Sequence, residues 1–486
     1  MSQTTYETID WSCRLLDNRY IMLKHMGNGS YAHVWLSFDI VTNQYCANKI
    51  HNSEDYKHGL SESKVYSMIK ELKSPYLMAQ ITNFDHNDND ESSDDMSETV
   101  NDELYHCCVM ELMQGSIYDL LNTEKYKNGL PIDFILKCVY QTLSGLSVMH
   151  DNKYIHADIK PENILVSGIG DKYKLLIDAL DLVTFIDNIK KQKSNNKTKN
   201  NKNNKKNKKN KTKQPSEDIM SSEDLKKILD HCKKILESFN STNDDESDDA
   251  SDSSDTDSVT DSQYLTSDTD DSSLLSISSF VTDVKKTTDV PLYTINSDMQ
   301  DDLIDKNIKI SDMGTCVHPL RSRFNKRIQT VYYRSPEILM DLGYSAKSDI
   351  WALGCTIYEM LTGEILFDAE DCDDNKRRHA IMLIVQRLGM IPEKMINKSP
   401  QKNLFFSVDQ KRIRGYNSFD EHGSLYKCIL DVCILKGITR SKTLLLLNLV
   451  TKMLSLDPED RFSASDALKL ISQYTEHEQC EIYIGN

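Results

Sequence analysis

Hydrophobic and polar positions change their period several times along this chain, and each change predicts an element. From Tyr20 the run Y-I-M-L-K-H-M-G-N-G-S-Y-A-H-V-W-L-S-F places apolar and β-branched residues on both sides of Gly27-Asn28-Gly29, the pattern of two strands joined by a glycine-rich loop. Residues 45–50 read as an apolar strand with Lys49 in its middle, and residues 106–113 as a buried strand running into a connection. Phe134, Ile135, Cys138, Val139, Leu143 and Leu146 recur at helical spacing, which predicts a helix over 134–150. Ile164-Leu165-Val166 opens a strand, and residues 307–310 form a further one. Residues 348–360 are apolar on nearly all sides, as in a helix buried within a large core.

Two polar stretches interrupt these patterns. Residues 83–103 are dominated by Asp, Asn, Glu and Ser, a composition that buries too little apolar surface to offset chain entropy, so a mobile acidic loop is expected. Residues 187–302 contain a Lys/Asn block over 190–214, an amphipathic segment over 225–239 that suits a helix, and an Asp/Ser/Thr block over 243–273. Charge blocks of this kind predict a disordered insertion. Its role stays open between a solvated spacer and a localisation or docking tail, the Lys block being able to visit nucleic acid or fold back on the Asp/Ser block.

Composition narrows the function classes. At 486 residues and 39% hydrophobic, the chain can build a substantial core. Its net charge of −17 argues against a general nucleic-acid binder or a membrane-surface protein and suits a basic partner. The twelve cysteines form no C-x-x-C pair or zinc-spaced cluster, which points to reduced intracellular thiols. Residues 1–11 lack the basic and apolar regions of a signal peptide, and the longest apolar run, 444–450, is far short of a membrane span. A soluble intracellular monomer is expected.

The densest chemistry lies at residues 156–163, H-A-D-I-K-P-E-N. Asp158, Lys160 two residues on and Asn163 five residues on place a proton acceptor, a phosphate-directed cation and a metal ligand on one short loop. Those are the parts phosphoryl transfer requires.

This loop resembles the protein-kinase catalytic loop H-R-D-x-K-x-x-N in every marked position except the arginine, which is Ala157. Further elements are similar to that family in the same order. The glycine loop resembles the flap over ATP phosphates, with Ala32 in place of the third glycine; the resemblance implies nucleotide contacts along Met26, Gly27, Asn28, Gly29, Ser30, Tyr31, Ala32, His33 and Val34. Ala47 and Lys49 match the strand V-A-I-K, and Glu62 follows at the spacing of the glutamate that orients the lysine. By position the resemblance implies that Met110 borders the adenine pocket, that the backbone of Glu111 to Met113 faces adenine, and that Leu165 is also among the nucleotide-binding residues. Asp312-Met313-Gly314 resembles D-F-G, which implies that Asp312 and Asn163 hold Mg²⁺ and that Met313 is an apolar plug. Ser335-Pro336-Glu337 resembles the A-P-E element, whose glutamate in that family pairs with an arginine, here Arg461.

Within the family, V-W-L-S at 34–37, D-I-K-P-E-N-I-L at 158–165, Q-T-x-Y-Y-R-S at 329–335 and an insertion before the D-F-G element are most similar to the SR-protein kinases of the CMGC group. The resemblance implies an α+β bilobal kinase fold with a small β-rich N-lobe and a larger helical C-lobe. Residues 1–19 would be an extension, 20–114 the N-lobe, 115–186 and 303–475 the two parts of the C-lobe, 187–302 the insertion, and 476–486 a tail. It also implies a Ser/Thr kinase using ATP and Mg²⁺ on a basic, Arg/Ser-rich protein substrate. The acidic run 368–374 is the nearest match to an acidic substrate groove, although Lys376, Arg377 and Arg378 beside it would partly cancel its field. Arg334 lies where proline-directed kinases and their relatives carry an arginine near the pocket for the residue after the phosphoacceptor. The missing arginine at Ala157 and the cations Arg321, Arg323, Lys326 and Arg327 suggest activity without phosphorylation of the activation segment. Two alternatives stay open: a kinase of the same group without Arg/Ser preference, and a pseudokinase scaffold.

Overall fold

The computed structural model describes residues 9–29, 31–87, 103–203, 220–243, 303–318, 328–369, 373–410, 412–415 and 424–478. All of these except 239–243 belong to one compact unit. Its N-terminal part is a six-stranded antiparallel sheet in the order β1-β2-β3-β4-β6-β5, from β1 (Leu15–Leu16), β2 (Tyr20–Asn28), β3 (Ala32–Asp39), β4 (Gln44–His51), β5 (Gln80–Asn87) and β6 (Leu104–Glu111). The expected glycine-loop hairpin is β2 and β3, with Asn28 opposite His33. Helix α1 (Tyr56–Lys70) packs against the sheet. A cluster of Trp11, Tyr20, Trp35, Tyr105 and their neighbours fills the side of the sheet away from it.

The boundaries of this lobe differ from the sequence expectation. Trp11 is 2% exposed and Leu15–Leu16 pairs with β2, so the sheet begins before Tyr20 because the indole and Leu16 complete its core. The start of the expected acidic loop, residues 83–87, is the end of β5, where inward Phe84 alternates with polar neighbours. The remainder, 88–102, lies outside the described residues.

The second part of the unit is helical. The expected helix over 134–150 is α3 (Ile132–Asp151), and the apolar segment 348–360 is the helix Ala346–Thr362, in which every residue from Ser348 to Leu361 is buried. Helix α2 (Ile117–Leu121) connects the lobes through a capping box of Ser116 and Asp119. A small sheet of β7 (Met113–Ser116), β8 (Ile164–Ser167) and β9 (Ile308–Ile310) underlies the junction.

Order continues past residue 187. Helices α4 (Asp171–Leu180) and α5 (Leu182–Asn203) precede α6 (Ser222–Asn243). The amphipathic segment 225–239 lies within α6, whose Ile228, Cys232 and Leu236 are buried at helical spacing. Phe185 of α5 stacks on His231 of α6 with ring centroids 4.0 Å apart, and His231 bonds the Leu180 carbonyl at 2.8 Å. The start of the Lys/Asn block, to Asn203, is thus helical, a correction to the expectation of disorder; residues 204–219 and 244–302 lie outside the described residues.

Arg461 and Glu337 tie the C-terminal part together. Both guanidinium ends donate to the two carboxylate oxygens, at 2.8 and 2.9 Å, and Ser348 adds a third bond at 3.0 Å. Burial alone would raise the Glu337 carboxyl, but Arg461 more than offsets it and holds the group below the ordinary carboxylate value. Removing one partner would strand the other charge in the core. Arg461→Ala should therefore lower the unfolding free energy by about 3–5 kcal/mol, read by denaturant titration at neutral pH. The contribution of the pair is complete above the ordinary carboxylate range and is lost as pH falls through the lower folded-state value, so the gap between wild type and variant should close in acid.

Candidate active site

Alternate residues of β4 face one side of the sheet, which places Ala47, Lys49 and His51 toward α1 and the lobe junction. Glu62 stands on α1 opposite Lys49. The Lys49 ammonium donates to both carboxylate oxygens, at 2.7 and 2.9 Å, and reaches Asp312 Oδ1 at 3.2 Å. Burial would lower the lysine and raise both acids. The mutual pairing outweighs it, so Lys49 is held above the ordinary lysine value and Glu62 and Asp312 below ordinary carboxylate values. Met313 is fully buried beneath α1, and the Tyr66 hydroxyl of α1 accepts the Asp312 N–H at 3.1 Å. Helix, lysine strand and Asp312 thus form one interlocked group.

The loop 156–163 is held from below by Asp349, at the start of the helix Ala346–Thr362. Its carboxylate accepts the backbone N–H groups of His156 and Ala157, both at 2.9 Å, and lies 2.8 Å from His150 Nε2. Ala157 adopts φ +69°, a left-handed backbone uncommon outside glycine, so those bonds fix a turn the chain would not choose by itself. The His156 ring bonds the Ser311 carbonyl at 2.8 Å, joining this loop to the residue before Asp312.

The turn aims the polar groups together. Asp158 Oδ2 lies 3.0 Å from Lys160 Nζ and 3.1 Å from Asn163 Nδ2, and Asn163 also donates to the Asp158 carbonyl at 2.8 Å. Asp158 Oδ1 accepts the Thr330 N–H at 3.0 Å and its hydroxyl at 2.9 Å. Because the Asn163 amide nitrogen faces Asp158, its oxygen is left for another partner. With the Asp312 carboxylate it offers hard oxygen donors suited to Mg²⁺.

A cavity of about 830 Å³ separates this group from the glycine loop. Met26, Gly27, Asn28, Gly29, Ala32, Val34, Ala47, Lys49, Met110, Glu111, Met113 and Leu165 line it, with Lys160, Asn163 and Asp312 at its polar end. Ala47 and Met110 are direct partners across β4 and β6. Several expected residues lie elsewhere. Glu62 sits behind Lys49, and Asp158 stands just beyond the lining. Tyr31, in the turn before β3, is 49% exposed with its ring on His58, and His33 bonds the Asn28 side chain at 2.7 Å; neither side chain lines the cavity. Ser30 lies outside the described residues. The Glu111 carboxylate turns to Lys309 at 2.6 Å, which leaves only its backbone for a ligand.

The wall formed by Gln114, Gly115, Ser116 and Asp119, with Gly170 and Tyr173 facing it, was not anticipated from the sequence. The Ser116-x-x-Asp119 capping box was its one readable signal. Glu162 also lines the cavity. Of the acidic run 368–374, residues 370–372 lie outside the described residues. Arg377, expected to weaken its field, instead points inward. It is 4% exposed, pairs with Asp341 at 2.9 Å and donates to the Leu339 carbonyl.

A family model described as the protein kinase domain matches residues 20–198 and 298–471. A chain of Acanthamoeba polyphaga mimivirus, named provisionally as serine/threonine-protein kinase L205, is 27% identical over 94% of this chain and 87% of its own length. SRSF protein kinase 3 of Mus musculus is 25% identical over 94% of this chain and 86% of its own, and protein kinase dsk1 of Schizosaccharomyces pombe 23% identical over 78% and 67%. Among the described residues no helix is long and apolar enough to cross a membrane.

Substituting Lys49→Met removes the cation that pairs with both Glu62 and Asp312. It should reduce kcat/KM for ATP by a factor on the order of 10² or more, measured by steady-state phosphorylation at varied ATP, with the fold retained by circular dichroism.

Proposed function

The chain belongs to the protein kinase family, as a serine/threonine kinase of the SR-protein-kinase-like group with a split kinase domain, and we propose that the residues around the cavity divide its chemistry as follows. Asp158 accepts the proton of the substrate hydroxyl and holds that oxygen toward the γ-phosphate of ATP. Lys160, 3.0 Å from Asp158, offsets charge on the group in transfer. Lys49, oriented by Glu62, holds the α- and β-phosphates, and the glycine loop covers them. Asn163 and Asp312 would hold Mg²⁺, which when bound neutralises charge on the phosphate oxygens. The protein supplies position and electrostatics in place of covalent chemistry.

The observation that carries this reading is the meeting of Asp158, Lys160, Asn163 and Thr330 within hydrogen-bond distance, at the polar end of the cavity that Lys49 enters. Asp158→Asn should abolish phosphorylation of a protein substrate and leave ATP binding within a few-fold of wild type. Substantial turnover by that variant would refute the role given to Asp158, and equal inactivity of the wild type would favour a scaffold.

We propose further that the substrate is basic and rich in Arg and Ser. Glu162 Oε2 is buried without a hydrogen-bond partner among the described residues, although the residue lines the cavity. Nearby Glu359 is raised to about 7 by burial, and Glu162 adds to the rise, while the Tyr333 hydroxyl at 2.7 Å opposes it. An orphaned carboxylate oxygen beside an acid that ionises reluctantly is an arrangement that a substrate guanidinium would relieve. Because binding a cation favours the ionised Glu359, KM for an Arg/Ser-repeat peptide should fall as pH rises through about 7. Glu162→Gln should raise that KM about tenfold or more and change KM for a peptide without arginine little. Equal use of both peptides by the wild type would favour a kinase without Arg/Ser preference.

Activity without phosphorylation of the activation segment fits the surroundings of Ala157. The residue is fully buried in an apolar cluster with Ile155, Ile328 and Ile338. Gln329 braces the segment end: its N–H donates to the Ala157 carbonyl at 3.0 Å, its amide to the Ser348 carbonyl at 2.8 Å, and its side-chain oxygen accepts the Ser335 N–H at 3.1 Å. Arg334 donates to the Gln329 carbonyl at 2.7 Å. No phosphate is needed to close these contacts. Phosphatase-treated enzyme should keep most of its activity in a peptide assay; loss of most of it would overturn this reading.

A further inference from the structure

His51, His58 and Glu62 meet beside the Lys49 pair, and the mechanism above uses neither histidine. One ligand atom from each of the three lies within 4.8 Å of the others. His51 is fully buried; its Nδ1 lies 3.2 Å from the His106 carbonyl and its Nε2 2.9 Å from Glu62 Oε2. A carbonyl and a carboxylate can only accept, and a neutral imidazole has one N–H to give. A neutral ring therefore satisfies only one of the two contacts, whereas a protonated ring, or a cation shared between Nε2 and the Glu62 carboxylate, satisfies both. His58 Nδ1, close by, is buried with no hydrogen-bond partner among the described residues.

Local structure builds this corner. A Cβ at Gly59 would come within 2.7 Å of the His51 ring, so the glycine in α1 makes room for it. The His58 ring is held between the Tyr31 ring, with centroids 4.5 Å apart, and Gly314, whose added Cβ would lie 3.0 Å from His58 Cε1.

We propose that His51, His58 and Glu62 form a site for a transition-metal dication, with Zn²⁺ the best match. Two imidazoles and one carboxylate are a common zinc donor set, and the fourth position is left to water. The His106 carbonyl orients His51 from behind, as outer partners of ligating histidines do. The site reads out on the kinase because Glu62 Oε2 also accepts from Lys49 at 2.9 Å. A dication on that oxygen faces the Lys49 ammonium at short range and withdraws the carboxylate that orients it. Zn²⁺ bound here therefore inhibits.

The test uses the full chain, freed of metal, and titrates Zn²⁺ against a chromophoric chelator, with Co²⁺ visible absorption as a second probe. The His58→Phe variant keeps a ring on Tyr31 and removes one ligand; it should bind one equivalent fewer than wild type and lose the matching Co²⁺ bands. Equal stoichiometry and affinity in the two proteins, or no binding by the wild type, overturns the site. Should His58→Phe fail to fold by circular dichroism, His58→Gln serves in its place. In kinase assays at saturating Mg-ATP, Zn²⁺ at concentrations that fill the site should depress wild-type turnover at least tenfold more than that of the variant. A wild type that fills the site with undiminished turnover overturns the inhibition and leaves the binding result to judge the site.

Discussion

The active-site geometry depends on one buried carboxylate. Asp349 accepts two successive backbone N–H groups of the loop 156–163, and through them holds Ala157 in a left-handed turn. That turn points His156 at the Ser311 carbonyl and Asp158 at Thr330, so the Asp312 strand and the end of the activation segment both take their position from it. A buried acceptor satisfied by several donors is costly to disturb, which makes it a rigid origin for groups that must be placed to within fractions of an ångström.

The upper half of the site rests on a different kind of constraint. Lys49, Glu62 and Asp312 come from three elements separated by up to 263 positions in the chain, and mutual ion pairing keeps all three charged despite burial. Met313 and Tyr66 pack beneath and beside them, so the orientation of α1 and the position of Asp312 are coupled. The His51 and His58 rings close the remaining side. Anything that changes the charge on Glu62 is therefore felt at the nucleotide end of the cavity.

The surroundings of Ala157 are apolar rather than charged. An arginine there would need an anion from the activation segment. The methyl group instead joins Ile155, Ile328 and Ile338, and apolar burial with the bonds of Gln329 holds the segment end.

Much of the chemistry was legible from sequence because it resides in short, locally spaced groups. The spacing of Asp158, Lys160 and Asn163 lies within one loop, Gly27-Asn28-Gly29 within one hairpin, and the periodicity of residues 134–150 and 348–360 within single helices. What tertiary structure alone decided concerns groups whose roles come from distant partners. Nothing in the sequence signals the role of Asp349, and Arg377 read there as one of the cations that would weaken the acidic run, because neither the loop that Asp349 supports nor the Asp341 that Arg377 pairs with is near in sequence. The helix Ser222–Asn243 was only partly visible, since its buried stripe of Ile228, Cys232 and Leu236 is diluted by charged flanks. Local pattern sets which elements form and which reactive groups they carry; the long-range bonds that aim those groups exist only once the chain has folded.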